Sequence, residues 1–241
     1  MKTSFFCRLL SILLVTLSTS ALPADEQGKI LFEDDFERNE SQEEKEEIGN
    51  GWASNSEKRA GGNKQVDLRN GAMYISMHKS ADHAVSVTHP AEFRNGSIEL
   101  KFMLEHKDDS LGLNFADLKF KEVWAGHLFV AKVTTTGVQL TDLKTGNMKR
   151  EIRDHRIAKK LTPELKKMLK TKSKRVSHKL QTGRWYALRV SVQDETLSVA
   201  IDGDDVLSFT SEGIAHPTKR TLRFSVPRNA VVDDVRAFSR S

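Results

Sequence analysis

Residues 97–104 read Ser97-Ile98-Glu99-Leu100-Lys101-Phe102-Met103-Leu104. Ile98, Leu100, Phe102 and Leu104 alternate with Ser97, Glu99, Lys101 and Met103. Successive side chains of a strand point to opposite faces, so this period of two predicts a strand with one face buried. The same period recurs in both directions along the chain. Upstream lie Met73, Ile75 and Met77; downstream come Leu111, Leu113 and Phe115, then Phe129, Ala131 and Val133. Tyr186, Leu188, Val190 and Val192 form another run, followed by Leu197, Val199 and Ile201. Leu222, Phe224 and Val226 and the stretch Val231 to Phe238 complete the set. Asn70-Gly71, Asn95-Gly96, Thr145-Gly146 and Asp202-Gly203 punctuate the runs, and these residues tolerate the positive φ of tight turns. Many short strands at this spacing predict an all-β sandwich or barrel. A chain of 241 residues, 38% hydrophobic, is long and apolar enough for one sizeable core.

The first residues read as an address. Met1-Lys2 and Arg8 flank the apolar run Phe5 to Leu17, and Thr19 and Ala21 fit the small-residue positions of a cleavage site. This pattern predicts a secretory signal peptide over residues 1–21. The run falls short of the ~20 apolar residues that a spanning helix needs. One domain is therefore expected over residues 22–241, secreted or periplasmic, with no membrane attachment after cleavage. The single Cys, Cys7, lies inside the leader, so neither a disulfide framework nor a Cys-based zinc cluster is expected.

One segment departs from the alternation. Residues 144–184 hold fifteen Lys/Arg against Glu151, Asp154 and Glu164, a net charge of +12. Thr162 suits a helix N-cap, Pro163 the first helical position and Glu164 the positive end of the dipole. Leu165, Met168 and Leu169 then form a narrow stripe at helical spacing. A short helix lying on the sandwich surface is expected. The formal charge of +5 conceals this asymmetry: without the leader and the insertion, twenty-one basic residues stand against thirty acidic ones, or −9. Residues 33–47 carry nine of those acids. The insertion reads either as a polyanion-binding surface, through Arg150, Arg153, Arg156, Lys159, Lys160, Lys166, Lys167 and Lys170, or as a solvated segment docked on the acidic side of its own domain. Export leads to the expectation of no nucleic-acid partner.

Several segments resemble concanavalin A-like jelly rolls of the laminin G and glucanase kind. Leu31-Phe32-Glu33-Asp34-Asp35-Phe36 with Gly51-Trp52 resembles their opening, and Gly183-Arg184-Trp185-Tyr186-Ala187-Leu188-Arg189-Val190 their G-x-W-x-x-hydrophobic-x-V strand. Leu197 to Gly203 resembles the next strand and turn, and Val232-Asp233-Asp234-Val235-Arg236 the closing strand. Trp124-Ala125-Gly126-His127, Asp142 to Gly146 and Gly213 to Lys219 are similar to segments of secreted planctomycete-type proteins grouped with 3-keto-disaccharide-hydrolase-like and glycoside-hydrolase-16-like domains. The resemblance implies a jelly-roll β-sandwich and a carbohydrate or polysaccharide ligand. Because the fold hosts lectins, hydrolases and structural modules alike, it leaves the reaction open.

Retaining glucanases of this fold carry an E-x-D-x-x-E strand that sets two carboxyl groups about 5 Å apart. Residues 97–135 lack it, and Glu33-Asp34-Asp35-Phe36-Glu37 approaches it only imperfectly, with Arg38 where the last acid belongs. Non-catalytic binding is thus the first reading, with Trp124, His127, Asn114, Asp117 and His216 as candidate contacts. One alternative is a glycoside hydrolase of the 3-keto-disaccharide-hydrolase-like kind, with His127 or His216 as acid/base and Asp117 as partner; the other is an extracellular scaffold that binds polyanions through the basic insertion. Each residue also has a structural reading. His127 could bond backbone at a strand end, His216 could cap the turn at Pro217, and Asn114 and Asp117 could sit on a solvated strand face. Trp52 and Trp185 read as core anchors. Asp202-Gly203-Asp204-Asp205 reads as a hairpin turn, lacking calcium-loop spacing, while Asp35 and Asp233 could share a calcium if the end strands pair. Gly-rich phosphate loops, G-x-S-x-G and H-E-x-x-H are absent, so no cofactor and no catalytic metal is implied.

Overall fold

A computed structural model describes residues 28–240, so the expected signal peptide lies outside the described residues. Ser97–Met103 falls inside a central strand of one sheet, and the alternation is realised there from Ile98 onward: Ile98, Leu100 and Phe102 are buried and Glu99, Lys101 and Met103 less so, while Ser97 is buried as well. In chain order the strands are β1 (Lys29–Asp34), β2 (Ala53–Ser54), β3 (Val66–Arg69), β4 (Ala72–Ser76), β5 (Val85–Phe93), β6 (Asn95–Met103), β7 (Ser110–Ala116), β8 (His127–Thr134), β9 (Gly137–Asp142), β10 (Ser173–Ser177), β11 (Trp185–Gln193), β12 (Thr196–Ile201), β13 (Asp204–Thr210), β14 (Lys219–Val226) and β15 (Asn229–Arg240). Every pairing between them is antiparallel.

The first sheet has eight strands, in the order β13-β12-β11-β6-β15-β4-β3, and β1 pairs with the C-terminal half of β15 beyond β4. The second has seven, β10-β9-β8-β7-β14-β5-β2. The inward faces meet in one continuous core that includes Phe102, Leu188 and Val199 from the first sheet and Leu113, Phe129 and Phe224 from the second. Each such side chain contributes roughly 1.5–3 kcal/mol when fully removed from water. Of the sandwich or barrel expected from the alternation this is the sandwich, with the jelly-roll form that the resemblance implies.

Trp52 closes one end of this core. Its ring stacks on Phe224 at 5.2 Å, and its indole N–H donates to Asp34 at 2.9 Å. Burial pushes the Asp34 carboxyl up, but hydrogen bonds from Arg38, the Phe36 amide and Trp52 outweigh it and hold the group below the usual carboxylate range. Trp185 behaves otherwise. It opens β11 with its side chain 39% exposed, while its neighbour Tyr186 takes the inward position. The alternation assigns the inward place to Tyr186, and the expectation of two buried tryptophan anchors holds for Trp52 alone. Asp202 and Gly203, with φ of 51° and 89°, form the β12–β13 hairpin turn.

The basic insertion contains two helices, Arg150–Ile157 and Pro163–Thr171. The second begins as expected: Thr162 accepts from the Leu165 amide at 3.2 Å, and Pro163 occupies the first turn. Leu165, Met168 and Leu169 are half-buried, and none of this helix is fully buried. Among the described residues no helix is long and apolar enough to cross a membrane.

Candidate functional site

β7 lies fourth of the seven strands in its sheet, and all seven of its residues are buried. Leu111, Leu113 and Phe115 point into the core, which leaves Gly112, Asn114 and Ala116 on the outer face. Strand pairing extends this face sideways in two rows. One runs Thr88, Arg223, Asn114, Val130, Thr141, Ser173; the other runs Ser86, Ser225, Gly112, Lys132, Gln139, Arg175.

His127 joins this face through two local devices. The turn Trp124–Gly126 carries positive φ at Ala125 (50°) and Gly126 (71°). A Cβ on Gly126 would stand 2.6 Å from the Asp117 carbonyl oxygen, so only glycine permits this approach. A β-bulge follows: Phe115 pairs with Phe129 but Ala116 pairs with His127, so Leu128 is the extra residue. Leu128 and Phe129 are both buried as a result, and His127 stays beside Asn114.

These residues form a small network. His127 Nδ1 lies 3.0 Å from Asn114 Oδ1, and Arg223 Nη1 lies 3.0 Å from Nε2 and 3.1 Å from Nδ1 of the same ring. A neutral ring satisfies the set: Nδ1–H donates to Asn114, and Nε2 accepts from the guanidinium. Burial first, and the Arg223 charge second, push the His127 pKa down to about 4. Asn114 is 5% exposed. Sequence reading missed Arg223; its signal was a charged residue at the outward position of the run Leu222-Arg223-Phe224.

The other expected contacts lie elsewhere. Asp117 follows β7 and forms a pair with His216, Oδ2 to Nε2 at 3.1 Å. Both are at most 5% exposed, and His216 packs against Phe120 with ring centroids 4.8 Å apart. Burial pushes the His216 pKa down, and the bond to Asp117 opposes this only partly. For Asp117, burial raises the pKa, but His216, the Lys119 amide and Arg220 outweigh it and lower it. Trp124 is 43% exposed, yet the Arg153 guanidinium sits 3.7 Å from its ring centroid. The five candidates therefore divide among three places: Asn114 with His127 on the outer face, Asp117 with His216 in a buried pair, and Trp124 beneath the insertion.

Carboxylates are scarce on this sheet. Across its seven strands only Glu92 and Asp142 occur. Glu92 ion-pairs with Arg220 at 2.5 Å. Asp142 is fully buried and accepts from the Thr145 amide and hydroxyl, the Ser211 hydroxyl and the Gly213 amide. No two carboxyl groups share the outer face. β1 and β15 do pair, which sets Asp34 opposite Val235. Among the described residues, however, no group of three His, Cys, Asp or Glu is placed to hold a metal.

Of the fifteen insertion cations, only Lys149, Arg153, Lys172 and Arg184 have a carboxylate within 4.0 Å among the described residues. The other eleven have none at that distance among the described residues.

No family model and no curated protein matches this chain in sequence. Solved structures do match in shape. A β-glucanase of Bacillus licheniformis superimposes with a TM-score of 0.58 at 12% identity, over 88% of this chain and 99% of that one. A laminarinase of Rhodothermus marinus gives 0.57 at 11% identity, over 88% and 97%. The carbohydrate-binding module CBM66 of Bacillus subtilis gives 0.50 at 10% identity, over 77% and 93%. These likenesses, together with the two antiparallel sheets, establish the fold: the chain is an all-β jelly-roll sandwich.

Proposed function

We propose that the protein is an exported carbohydrate-binding module that holds a glycan, without cleaving it, on the outer face of the seven-stranded sheet around Asn114, His127 and Arg223. One observation carries this reading: the outer face of the central strand holds Gly112, Asn114 and Ala116 and no carboxylate, whereas a retaining glucanase needs a pair of acids. Amide, imidazole and guanidinium groups can exchange hydrogen bonds with sugar hydroxyls but supply no nucleophile and acid pair. The printed names of the similar structures, a β-glucanase, a laminarinase and a carbohydrate-binding module, support a carbohydrate ligand. The pattern of residues 1–21 supports export. Burial of Asp117 and His216 supports a structural role for that pair over acid/base work in a hydrolase.

Glycan binding and reducing-end release should be measured together on the chain from Leu22. The expected result is retention on at least one polysaccharide, lost in Asn114→Leu and His127→Ala, with no release above background. Turnover by the unaltered protein that disappears in His127→Ala would overturn the binding-only reading and favour the hydrolase.

A second reading concerns the insertion, and the unpaired cations favour it. Lys166, Lys167 and Lys170 are all exposed on one short helix and have no carboxylate partner within 4.0 Å among the described residues. Polyanion binding there predicts earlier elution from a heparin column when the three are changed to Gln.

A further inference from the structure

The two outer faces of the sandwich differ in charge. On the eight-stranded sheet the charges are balanced: Arg189 faces Glu99 at 3.4 Å, Lys101 faces Asp234 at 2.5 Å, and Arg236 faces Glu33 at 3.9 Å. On the seven-stranded sheet, Lys132 and Arg175 share one row and Arg223 stands in the next, and none of the three has a carboxylate within 4.0 Å among the described residues. The only outward acid of that sheet, Glu92, is already paired with Arg220.

Arg223 is the informative member. Its side chain is half-buried, and its only hydrogen-bond partner among the described residues is the neutral ring of His127. Of the other partly buried arginines, Arg38 has Asp34, Arg153 has Asp154, Arg189 has Glu99, and Arg220 has Glu92 and Asp117; Arg240, at the end of β15, is the other one without an acid among the described residues. Removing a cation from water without a counter-charge is costly, so such a group is usually compensated. Nη2 and Nε of Arg223 have no hydrogen-bond partner among the described residues and are not sealed in the interior. A guanidinium offers a planar fork that matches a carboxylate or a sulfate in bidentate fashion. Lys132 and Arg175 lie two strands apart, about 10 Å at ordinary strand spacing, and both are exposed.

We infer that the glycan held on this face is acidic, carrying uronate carboxylates or sulfate esters that Arg223 receives centrally and Lys132 and Arg175 receive one row away; the inference rests on the glycan-binding reading of the face. The anion supplies the counter-charge that the fold leaves out.

Affinity electrophoresis of the chain from Leu22 through polygalacturonate, dextran sulfate and neutral laminarin tests it. Retardation should be stronger in one of the two acidic polymers than in laminarin, and the choice between them separates carboxylate from sulfate. Arg223→Gln should weaken that acidic binding at least about tenfold, as expected for losing a charge-assisted contact. Lys132→Gln with Arg175→Gln, at exposed positions that do not endanger folding, should weaken it by several-fold. Retardation by laminarin alone would overturn the inference while leaving glycan binding intact; no retardation by any of the three, nor by a wider glycan panel, would remove both. Acidic binding that survives these variants but is lost in Lys166→Gln, Lys167→Gln, Lys170→Gln would also overturn it, because the anion would then sit on the insertion.

Discussion

Acid should destabilise the outer face at His127. The ring is half-buried between Asn114 and Arg223, so a proton gained there faces a fixed positive charge. In the unfolded chain the ring keeps its ordinary pKa of 6.5, against about 4 in the fold. Below pH 6.5 the unfolded state therefore binds a proton that the native state refuses. Stability falls as pH falls, beginning near 6.5 and levelling off once the native ring protonates near 4. Linkage over these two values gives a loss of about 2 kcal/mol between pH 7 and pH 5, and about 3 kcal/mol by pH 4. Urea unfolding of the unaltered protein and of His127→Gln across this range isolates the contribution. His216 shifts in the same direction and is present in both proteins, so it cancels in the difference. Asp34 and Asp117, both held low, lose their contribution only in stronger acid and cancel likewise. The variant will be weaker at pH 7, but its curve should be flatter by about 2 kcal/mol down to pH 5. Parallel curves, or a proton resonance of His127 that titrates near 6.5 in the folded protein, would refute the reasoning.

Three further outcomes follow from the packing. Asp142→Ala leaves four donors from Thr145, Ser211 and Gly213 without an acceptor, and should cost about 3 kcal/mol or more in chemical denaturation. Trp52→Ala should cost about 3–5 kcal/mol, as a large core truncation does, whereas Trp185→Ala should stay below about 1 kcal/mol in the same assay. Gly126→Ala forces a Cβ against the Asp117 carbonyl, and should lower the melting temperature and shift the His127 resonance.

Period-two alternation made the sandwich legible because each strand carries its own inside and outside. The turns were legible for the same local reason, as at Asp202-Gly203. The site was less so. Asn114 is outward by parity alone, but His127 reaches it only through the bulge at Leu128, a one-residue register change that depends on the partner strand. The exceptional feature of Arg223 is a missing acid, and that can be judged only when Thr88 and Asn114, far apart in sequence, become its neighbours. The helix Arg150–Ile157 escaped notice because it buries a single side chain, Ile152, and so has no apolar stripe. Asp117 and His216 looked like candidates because carboxylate and imidazole are chemically versatile; 99 residues separate them, and nothing local reveals that they seal each other in.

The insertion has two parts that ask for different treatment. Its opening is tied to the loop that leads into His127: Val123 bridges Lys149, the Arg150 amide donates to Glu122, the Trp124 amide donates to Met148, and Arg153 covers the Trp124 ring. Its second helix is held only by the half-buried stripe Leu165, Met168 and Leu169, and turns Lys166, Lys167 and Lys170 to solvent. Deleting residues 149–179 would remove both parts and the edge strand β10 with Arg175. The His127 turn and the outer face would be disturbed along with the lysines, and a loss of anion binding could not be assigned to either. Changing only Lys166, Lys167 and Lys170 to Gln keeps the helix-forming chain length, the stripe and the Trp124 contact, because glutamine differs little from lysine in helix propensity. If heparin retention falls in that variant while polygalacturonate or dextran sulfate binding through Arg223 is unchanged, the chain has two separate anion surfaces. If both fall together, one long acidic polymer runs from the sheet face onto the insertion, and the charge asymmetry hidden in the overall +5 serves a single ligand.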